Sequence, residues 1–325
     1  MSKKNCSKKT SIGGQALIEG IMMRGPEKTV MAVRDPAGKI ILEECAAGTS
    51  KRAKILKLPI IRGVFSFIDS MKTGYKALMR SAEISMPEDD EGKPLTEKEK
   101  KKESKLMGIA AGIGGVLGVV LSVVLFIWMP SFLFSLIRDL TAGTSAEGFF
   151  SHPATKSVFE GVLKLVLFVG YIALMCLVKD VRRTFQYHGA EHKTIFAYEA
   201  GLELTVENVR TQRRFHPRCG TSFMILMILV GIFIGMLIPE TIGTVEINHI
   251  LRAAIKLLLL PLTMGIGYEL IKFCGRHDNF LTRIIAAPGM WLQRVTVHEP
   301  DDKMIECAIA AMEAVIPENK GADEF

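Results

Sequence analysis

Residues 106–137 read LMGIAAGIGGVLGVVLSVVLFIWMPSFLFSLI and contain no charged side chain. A helix of about 20 apolar residues is long enough to cross the ~30 Å hydrocarbon core of a bilayer. Inside lipid the backbone must satisfy its own hydrogen bonds, and a helix does so within one segment. The run therefore predicts a transmembrane helix over residues 106–129.

Three further apolar runs cover residues 158–178, 223–238 and 251–273. The last is the weakest because Lys256 and Glu269 bracket its uncharged middle, and a buried helix of a soluble protein is the alternative there. The chain is 49% hydrophobic with a mean hydropathy of +0.27, which is high for a soluble protein. The four runs together predict a mainly α membrane protein with four transmembrane helices.

Lysine and arginine are concentrated before the first run, between the second and third runs, and after the fourth. The two remaining connections are poor in both residues, and residues 239–250 contain neither. Because basic segments stay in the cytosol, the chain is predicted to be a multi-pass protein of the plasma (cell) membrane with both termini cytoplasmic. The first nine residues are basic, but no apolar stretch follows them as it would in a signal peptide.

The polar segments and the apolar runs define the predicted domain organisation. Its parts are a cytosolic N-terminal region (1–85), a charged linker (86–105), transmembrane helices 1 and 2 (106–178), a cytosolic middle loop (179–222), transmembrane helices 3 and 4 (223–273) and a cytosolic C-terminal tail (274–325).

The cytosolic segments are expected to form a small α+β region. Residues 30–34 and 39–43 flank the turn sequence DPAG and predict a hairpin. Residues 55–80 and 301–316 carry apolar side chains at helical spacing. The first of these helices could pack on the region or lie along the membrane surface. Residues 291–298 alternate in polarity and predict a strand.

The net charge of +7 follows from the basic cytosolic segments and indicates contact with anionic lipid headgroups. Membrane lipids are therefore the expected partners. The basic runs lack interleaved aromatic residues, which argues against a nucleic-acid partner. The six cysteines show no CxxC spacing, and disulfides are not expected in the cytosol. The sequence leaves open whether the chain forms a homo-oligomer.

The sequence YHGAEH, which ends at His192, lies in a proline-free segment (179–200) predicted to be a helix that could continue the second apolar run and that stops at Gly201. His188 and His192 are four residues apart, so both imidazoles lie on one face and can reach one ion. With Glu191 they form a His-x-x-Glu-His pattern, in which the carboxylate acts as a general base on zinc-bound water. The prediction is a divalent metal, zinc, held by the two histidines. The alternative is a polar helix face with two structural histidines.

A catalytic zinc site needs a third protein ligand and an open position. Glu269 is one candidate, because a carboxylate near the end of an apolar run needs a partner. His216 and Cys219 are the second, just before the third run, with a juxtamembrane cap and a buried thiol as the alternative. His277 and Asp278 are the third, with a simple helix stop as the alternative.

A glycine-rich run, GGQALIEGIMMRGP, occupies residues 13–26. It lacks the Gly-Lys-Ser/Thr ending of a phosphate loop. Glycines allow the backbone to approach another surface closely. Glu19 and Arg24 could enter the site as catalytic groups or pair with each other, and the alternative is an ordered packing loop.

Several of these motifs together resemble the YqhQ-like family of uncharacterised bacterial membrane proteins, a domain of unknown function. The similar segments are residues 13–26, 187–193, 213–222, 291–294 and 299–302. They are spread from near the start to near the end of the sequence, so the resemblance covers nearly the whole chain. The resemblance implies a membrane location, and the family is described as predicted metal-dependent enzymes. It also points to Glu19, Arg24, His188, Glu191, His192, His216 and Cys219.

The sequence therefore favours a membrane-anchored, metal-dependent hydrolase with a cytosol-facing site. Arg24 or Arg214 could hold an anionic part of its substrate, whose identity the sequence does not give. The alternative is a non-enzymatic membrane scaffold or assembly factor in which the histidines are structural. A transporter is disfavoured because the apolar runs hold few ionisable groups.

Overall fold

The computed structural model describes residues 9–47, 58–86, 109, 112–239, 241–242, 245–277, 279–319 and 321–324. The chain divides into two compact units. The first combines Met1–Met86, Val169–Met227 and Pro261–Phe325, and the second combines Pro87–Phe168 and Ile228–Leu260. Apart from Met86, the predicted charged linker lies outside the described residues.

The described residues are mainly helical, with one four-stranded sheet. In chain order the strands are β1 (Gly13–Leu17), β2 (Gly20–Arg24), β3 (Lys28–Arg34), β4 (Ile40–Ala47), β5 (Thr241–Ile242) and β6 (Val245–Glu246). The helices are α1 (Ile61–Ser85), α2 (Gly112–Thr141), α3 (Glu147–Phe150), α4 (Pro153–Met175), α5 (Lys179–Glu199), α6 (Val206–Arg210), α7 (Gly220–Met236), α8 (His249–Leu258), α9 (Leu260–Arg276), α10 (Phe280–Thr296) and α11 (Asp302–Glu313).

The sheet of the first unit is an antiparallel meander in the order β1-β2-β3-β4. The predicted hairpin is confirmed: Arg34 pairs with Ile40, and the Asp35 N–H donates to the Lys39 carbonyl at 2.9 Å. Asp35 also accepts from the Lys39 N–H through its side chain at 2.8 Å, as aspartate commonly does in turns.

Strands β2 and β3 are buried on both faces, so the first unit has three layers. Ile21 and Ala32 face a core that contains residues of α5 and α11, whereas Met22 and Met31 face α1. This alternation follows from the two-residue period of a strand. The predicted helix over residues 55–80 corresponds to α1 and packs on the sheet. The predicted helix over residues 301–316 corresponds to α11.

Within the described residues, two helices are long and apolar enough to cross a membrane: α2 (Gly112–Thr141), and α4 over Ala154–Met175. Helix α2 contains a π-helical turn at Val124–Trp128. The fourth apolar run is split, because α8 and α9 meet at a bend of 47° and count as one further span only if taken together. Helix α7 has 17 residues, fewer than the about 20 that span a bilayer. The structure thus supports two or three spans, and the four that were predicted are not confirmed.

Two local expectations require correction. Residues 291–298 do not form a strand, because α10 continues through Thr296 after starting with a capping box between Asn279 and Thr282. Helix α5 does not continue α4, because Val178 is extended and separates them. As predicted, α5 ends before Gly201, which adopts a left-handed conformation with φ 66°.

The middle of α5 packs against the segment that follows α10. A Cβ added to Gly189 would lie 2.0 Å from the His298 carbonyl oxygen, which is far inside van der Waals contact. The His298 N–H donates to the Phe185 carbonyl at 3.0 Å, so the two backbones are joined at this point. Only glycine allows this approach at position 189.

We expect Gly189→Ala to lower the free energy of unfolding by about 1–3 kcal/mol, because the methyl group must displace backbone. The matched control is Gly170→Ala in α4, where nothing lies within 4 Å of an added Cβ. That change should be neutral or stabilise the helix by up to about 1 kcal/mol. Thermal unfolding of the detergent-purified proteins measures both, and equal midpoints would contradict the expectation.

Candidate metal centre

The two histidines of the predicted motif lie side by side on α5. Their ring centroids are 4.4 Å apart, as expected for positions four residues apart on one helical face. His192 is buried and His188 is half-buried. The predicted pair on one helical face is therefore present in the structure.

Cys219 is brought to this pair by the start of α7. Its Sγ lies 3.1 Å from His188 Nε2. Sγ and one ring nitrogen of each histidine all lie within 4.8 Å of one another. The cysteine directly precedes α7, and its sulfur is also 3.2 Å from the Thr221 hydroxyl and 3.5 Å from the Thr221 N–H.

Two backbone carbonyls fix the orientation of both imidazoles. His188 Nδ1 lies 2.9 Å from the Thr296 carbonyl oxygen, and His192 Nδ1 lies 2.5 Å from the Arg214 carbonyl oxygen. A carbonyl oxygen only accepts, so each Nδ1 carries the proton and donates it. In the neutral rings each Nε2 then keeps its lone pair. Metal-binding histidines in proteins are held in this way, with the other ring nitrogen donating to an acceptor.

Glu191 lies between the two histidines in sequence and is buried. Its Oε1 accepts from the Gly14 N–H at 3.0 Å, while its buried Oε2 has no hydrogen-bond partner among the described residues. Burial raises the pKa of this carboxyl, whereas nearby His188 and the Gly14 N–H act in the opposite direction. A Cβ at Gly14 would lie 3.0 Å from the Glu191 carboxyl carbon, so the glycine-rich segment packs closely on this side chain.

His216 lies beside the cluster but belongs to another network. Its ring centroid is 5.5 Å from that of His192, and its Nδ1 accepts from the Arg218 N–H at 3.3 Å. Arg218 forms an ion pair with the buried Glu199. Burial and the neighbouring imidazole and guanidinium groups hold the pKa of His216 well below its usual value. The groups that could share one ion in the described residues do not include His216.

The other two candidates for the third ligand lie elsewhere. Glu269 accepts from Arg62 Nε at 2.7 Å and from the Ile60 N–H at 3.4 Å. His277 is exposed, and its Nδ1 lies 3.1 Å from the Phe273 carbonyl oxygen. Asp278 is outside the described residues. Among the described residues of the three candidate sets, only Cys219 joins the histidine pair.

Glu19 and Arg24 neither pair with each other nor join the cluster. Glu19 pairs with Arg183, whose Nη2 is 2.7 Å away, and accepts from the Tyr187 hydroxyl at 3.2 Å. Arg24 donates to Asp69 at 2.8 Å, and also contacts Ser70. Both side chains therefore tie the glycine-rich segment to neighbouring helices. Arg214, a candidate for binding an anionic substrate, pairs with Glu299 at 3.0 Å.

Gln293 of α10 has a positioning role that the sequence did not reveal. Its Oε1 accepts from the His216 N–H at 2.7 Å, and its Nε2 donates to the His216 carbonyl at 2.7 Å and to the Ser222 hydroxyl at 3.2 Å. It is fully buried and holds the loop that carries Cys219. A strand over residues 291–298 would not place Gln293 against this loop, whereas the helix does.

Comparisons with known proteins describe relatives of unknown function. The family model for a protein of unknown function (DUF1385) matches residues 58–318. The uncharacterized protein YqhQ of Bacillus subtilis (strain 168) is 33% identical over 306 residues, which cover 94% of this chain and 92% of that protein. No solved structure is significantly similar to the chain.

We expect Gln293→Leu to destabilise the protein by about 2–4 kcal/mol, because it leaves the buried N–H and carbonyl of His216 unpaired. The neighbouring Arg294 is exposed, and Arg294→Ala should change stability by no more than about 0.5 kcal/mol. Thermal unfolding in detergent compares the two variants. A Gln293→Leu protein as stable as the control would show that the loop does not depend on this side chain.

Proposed function

The chain belongs to the DUF1385 family of proteins of unknown function, and we propose that it is a membrane-anchored, metal-dependent hydrolase with a cytosol-facing site. The observation that carries the proposal is the cluster of His188, His192 and Cys219, whose ligand atoms lie within 4.8 Å of one another. Two nitrogens and one sulfur are a ligand set that suits zinc.

The donor set and its surroundings fit a catalytic rather than a closed structural zinc site. Three protein ligands leave one of four tetrahedral positions for water or substrate. Bound zinc would supply a Lewis acid and lower the pKa of a water molecule to about 7. The Thr296 and Arg214 carbonyls keep the Nε2 lone pairs available, so both rings would already be oriented before a metal ion binds.

Glu191 is the group that would accept a proton from water. The Gly14 N–H holds one carboxylate oxygen, while the other is buried without a hydrogen-bond partner in the described part of the chain. A buried carboxylate with one free oxygen, close enough to His188 for the charge of that imidazole to act on its pKa, is suited to general-base catalysis. Glu19, Arg24 and Glu269 take no part in the proposed reaction, because each is held in an ion pair.

The membrane part of the proposal rests on charge and apolar length. Helices α2 and α4 suggest membrane association. We infer a multi-pass topology with both termini cytoplasmic, in which α7 and the bent pair of α8 and α9 complete four crossings. The distribution of lysine and arginine supports this orientation, and the same basic segments would contact anionic lipids.

Purified wild-type protein should contain about one equivalent of zinc, and His192→Ala or Cys219→Ser should lose most of it, because a zinc site rarely persists with two protein ligands. His277→Ala is the matched control, since this imidazole is exposed and outside the cluster. Elemental analysis after reconstitution with zinc measures the content, and thermal unfolding checks that each variant is folded. Wild-type protein that binds no metal would overturn the proposal and favour the non-enzymatic scaffold.

Glu191→Gln should retain the metal but slow hydrolysis of an activated ester such as 4-nitrophenyl acetate by about 10²–10⁴-fold, the usual contribution of a general base. Glu269→Gln, which alters a carboxylate outside the cluster, should hydrolyse the ester like the wild type. If Glu191→Gln has the same rate and metal content as the wild type, this carboxylate is not the base.

A second function is favoured by the 3.1 Å distance between Cys219 Sγ and His188 Nε2. The Thr296 carbonyl orients the imidazole, and the thiol lies at a helix start, as in enzymes that use cysteine as a nucleophile. His192→Ala separates the two functions, because it removes a metal ligand but leaves the thiol–imidazole pair intact. Ester hydrolysis that survives this change, and is abolished by iodoacetamide, would identify the thiol as the reacting group.

A further inference from the structure

Two helices of the second unit carry ionisable side chains at helical spacing in otherwise apolar sequence. Lys156, Glu160 and Lys164 are four residues apart along α4, and Arg252 and Lys256 are four apart along α8. Each set therefore lies on one face of its helix. These five residues are called the cationic cluster below.

Glu160 is the only carboxylate of the cationic cluster, and both of its oxygens are used. It pairs with Lys256, and its Oε1 accepts from the Ser131 hydroxyl at 2.8 Å. The carboxyl is 1% exposed, so this ion pair is inside the unit. Glu160 thus balances one cation and has no free oxygen to bind a second directly.

Arg252 is a buried cation without a carboxylate partner among the described residues. It is 1% exposed, and the acceptors that its Nη2 contacts among the described residues are neutral: the Gly235 carbonyl at 3.1 Å and the Ser157 hydroxyl at 3.5 Å. Its Nε is buried and has no hydrogen-bond partner in the described part of the chain. Arginine stays protonated in proteins, so the cation cannot be removed by loss of a proton.

Lys156 and Lys164 add further positive charge. Lys156 is 7% exposed, and its Nζ lies 5.9 Å from the centre of the Phe134 ring. The charges of Arg252, Glu160 and Lys256 all act on it. Lys164 is half-buried, and the charges of Lys256 and Glu160 act on it. In the described part of the chain neither lysine forms an ion pair.

Four cations and one carboxylate leave three positive charges unbalanced. A buried charge without a counter-charge is strongly destabilising, because it loses its hydration and gains no compensating interaction. An anion that accepts from the free Arg252 Nε and from the lysines would remove this cost. The planar guanidinium and several ammonium groups together match the shape and charge of a phosphate.

We propose that the cationic cluster is a binding site for a phosphate group. Arg252 and Lys156 contact the phosphate oxygens. The half-buried Lys164 adds positive charge, and Glu160 holds Lys256 in place. The phosphate belongs either to a lipid headgroup or to a free anion. This site lies in the second unit and does not depend on the metal centre.

The test uses the full chain, freed of lipid in an uncharged detergent, with three probes: phosphatidylglycerol, phosphatidylcholine and sodium phosphate. Native mass spectrometry counts bound molecules, and the shift of the thermal midpoint with probe concentration gives the apparent affinity. Binding of phosphatidylglycerol but not sodium phosphate identifies a lipid headgroup, and binding of sodium phosphate identifies a free anion. If none of the three probes binds, the proposal is overturned.

Charge variants distinguish a phosphate site from a structural cluster. Lys156→Gln and the half-exposed Lys164→Gln should each weaken binding of the active probe by about tenfold, while Glu160→Gln should strengthen it, because it removes the competing negative charge. Arg294→Gln in the first unit, an exposed cation, should bind like the wild type. If Lys156→Gln does not fold, Lys164→Gln and Glu160→Gln still test the proposal, because the first should weaken binding of the probe and the second should strengthen it. If both of these variants bind the probe as tightly as Arg294→Gln does, the proposal is overturned.

Discussion

The burial of α5 is the constraint on which the first unit depends. Its residues from Glu191 to Ala197 are all buried, although several of them are polar. Such side chains are stable inside a protein only if each finds a partner. His192 donates to the Arg214 carbonyl, Lys193 pairs with Glu299, and Thr194 donates to the Ala190 carbonyl. The loop before α7 and the segment after α10 therefore have to close around this helix.

The candidate metal centre is a consequence of that closure. His188 and His192 belong to one helix, whereas Cys219 lies on the loop before α7. Helix α10 contributes the Thr296 carbonyl and Gln293, which hydrogen-bonds the backbone of that loop. The distances within the cluster are therefore set by residues that lie far apart in the sequence. The free oxygen of Glu191 remains unsatisfied among the described residues, as do buried nitrogens such as Arg34 Nε and His298 Nε2 elsewhere in this unit. Unsatisfied buried groups are uncommon, and they are found at sites with a functional role.

The second unit differs from the first in where its apolar and charged side chains lie. Its long helices expose large apolar side chains, which suits lipid rather than water, whereas the side chains of the cationic cluster are buried or half-buried. Glu160 and Lys256 compensate each other, whereas Arg252 has only neutral acceptors among the described residues. In the first unit, by comparison, charged pairs such as Arg183 with Glu19 lie at the surface. Surface pairs contribute little stability, so they orient segments rather than hold the fold together.

Local chemistry in the sequence determined the parts of the fold that depend on neighbouring residues. The DPAG turn and alternating strands predicted the β3–β4 hairpin, and the four-residue spacing predicted that His188 and His192 share a helical face. Only the tertiary structure selected Cys219 over Glu269 and His277 as the group beside them, because that choice depends on contacts between distant segments. It also made residues 291–296 part of a helix, since packing overrides a short alternating pattern. The number of spans likewise depends on a bend between α8 and α9 that composition alone does not encode.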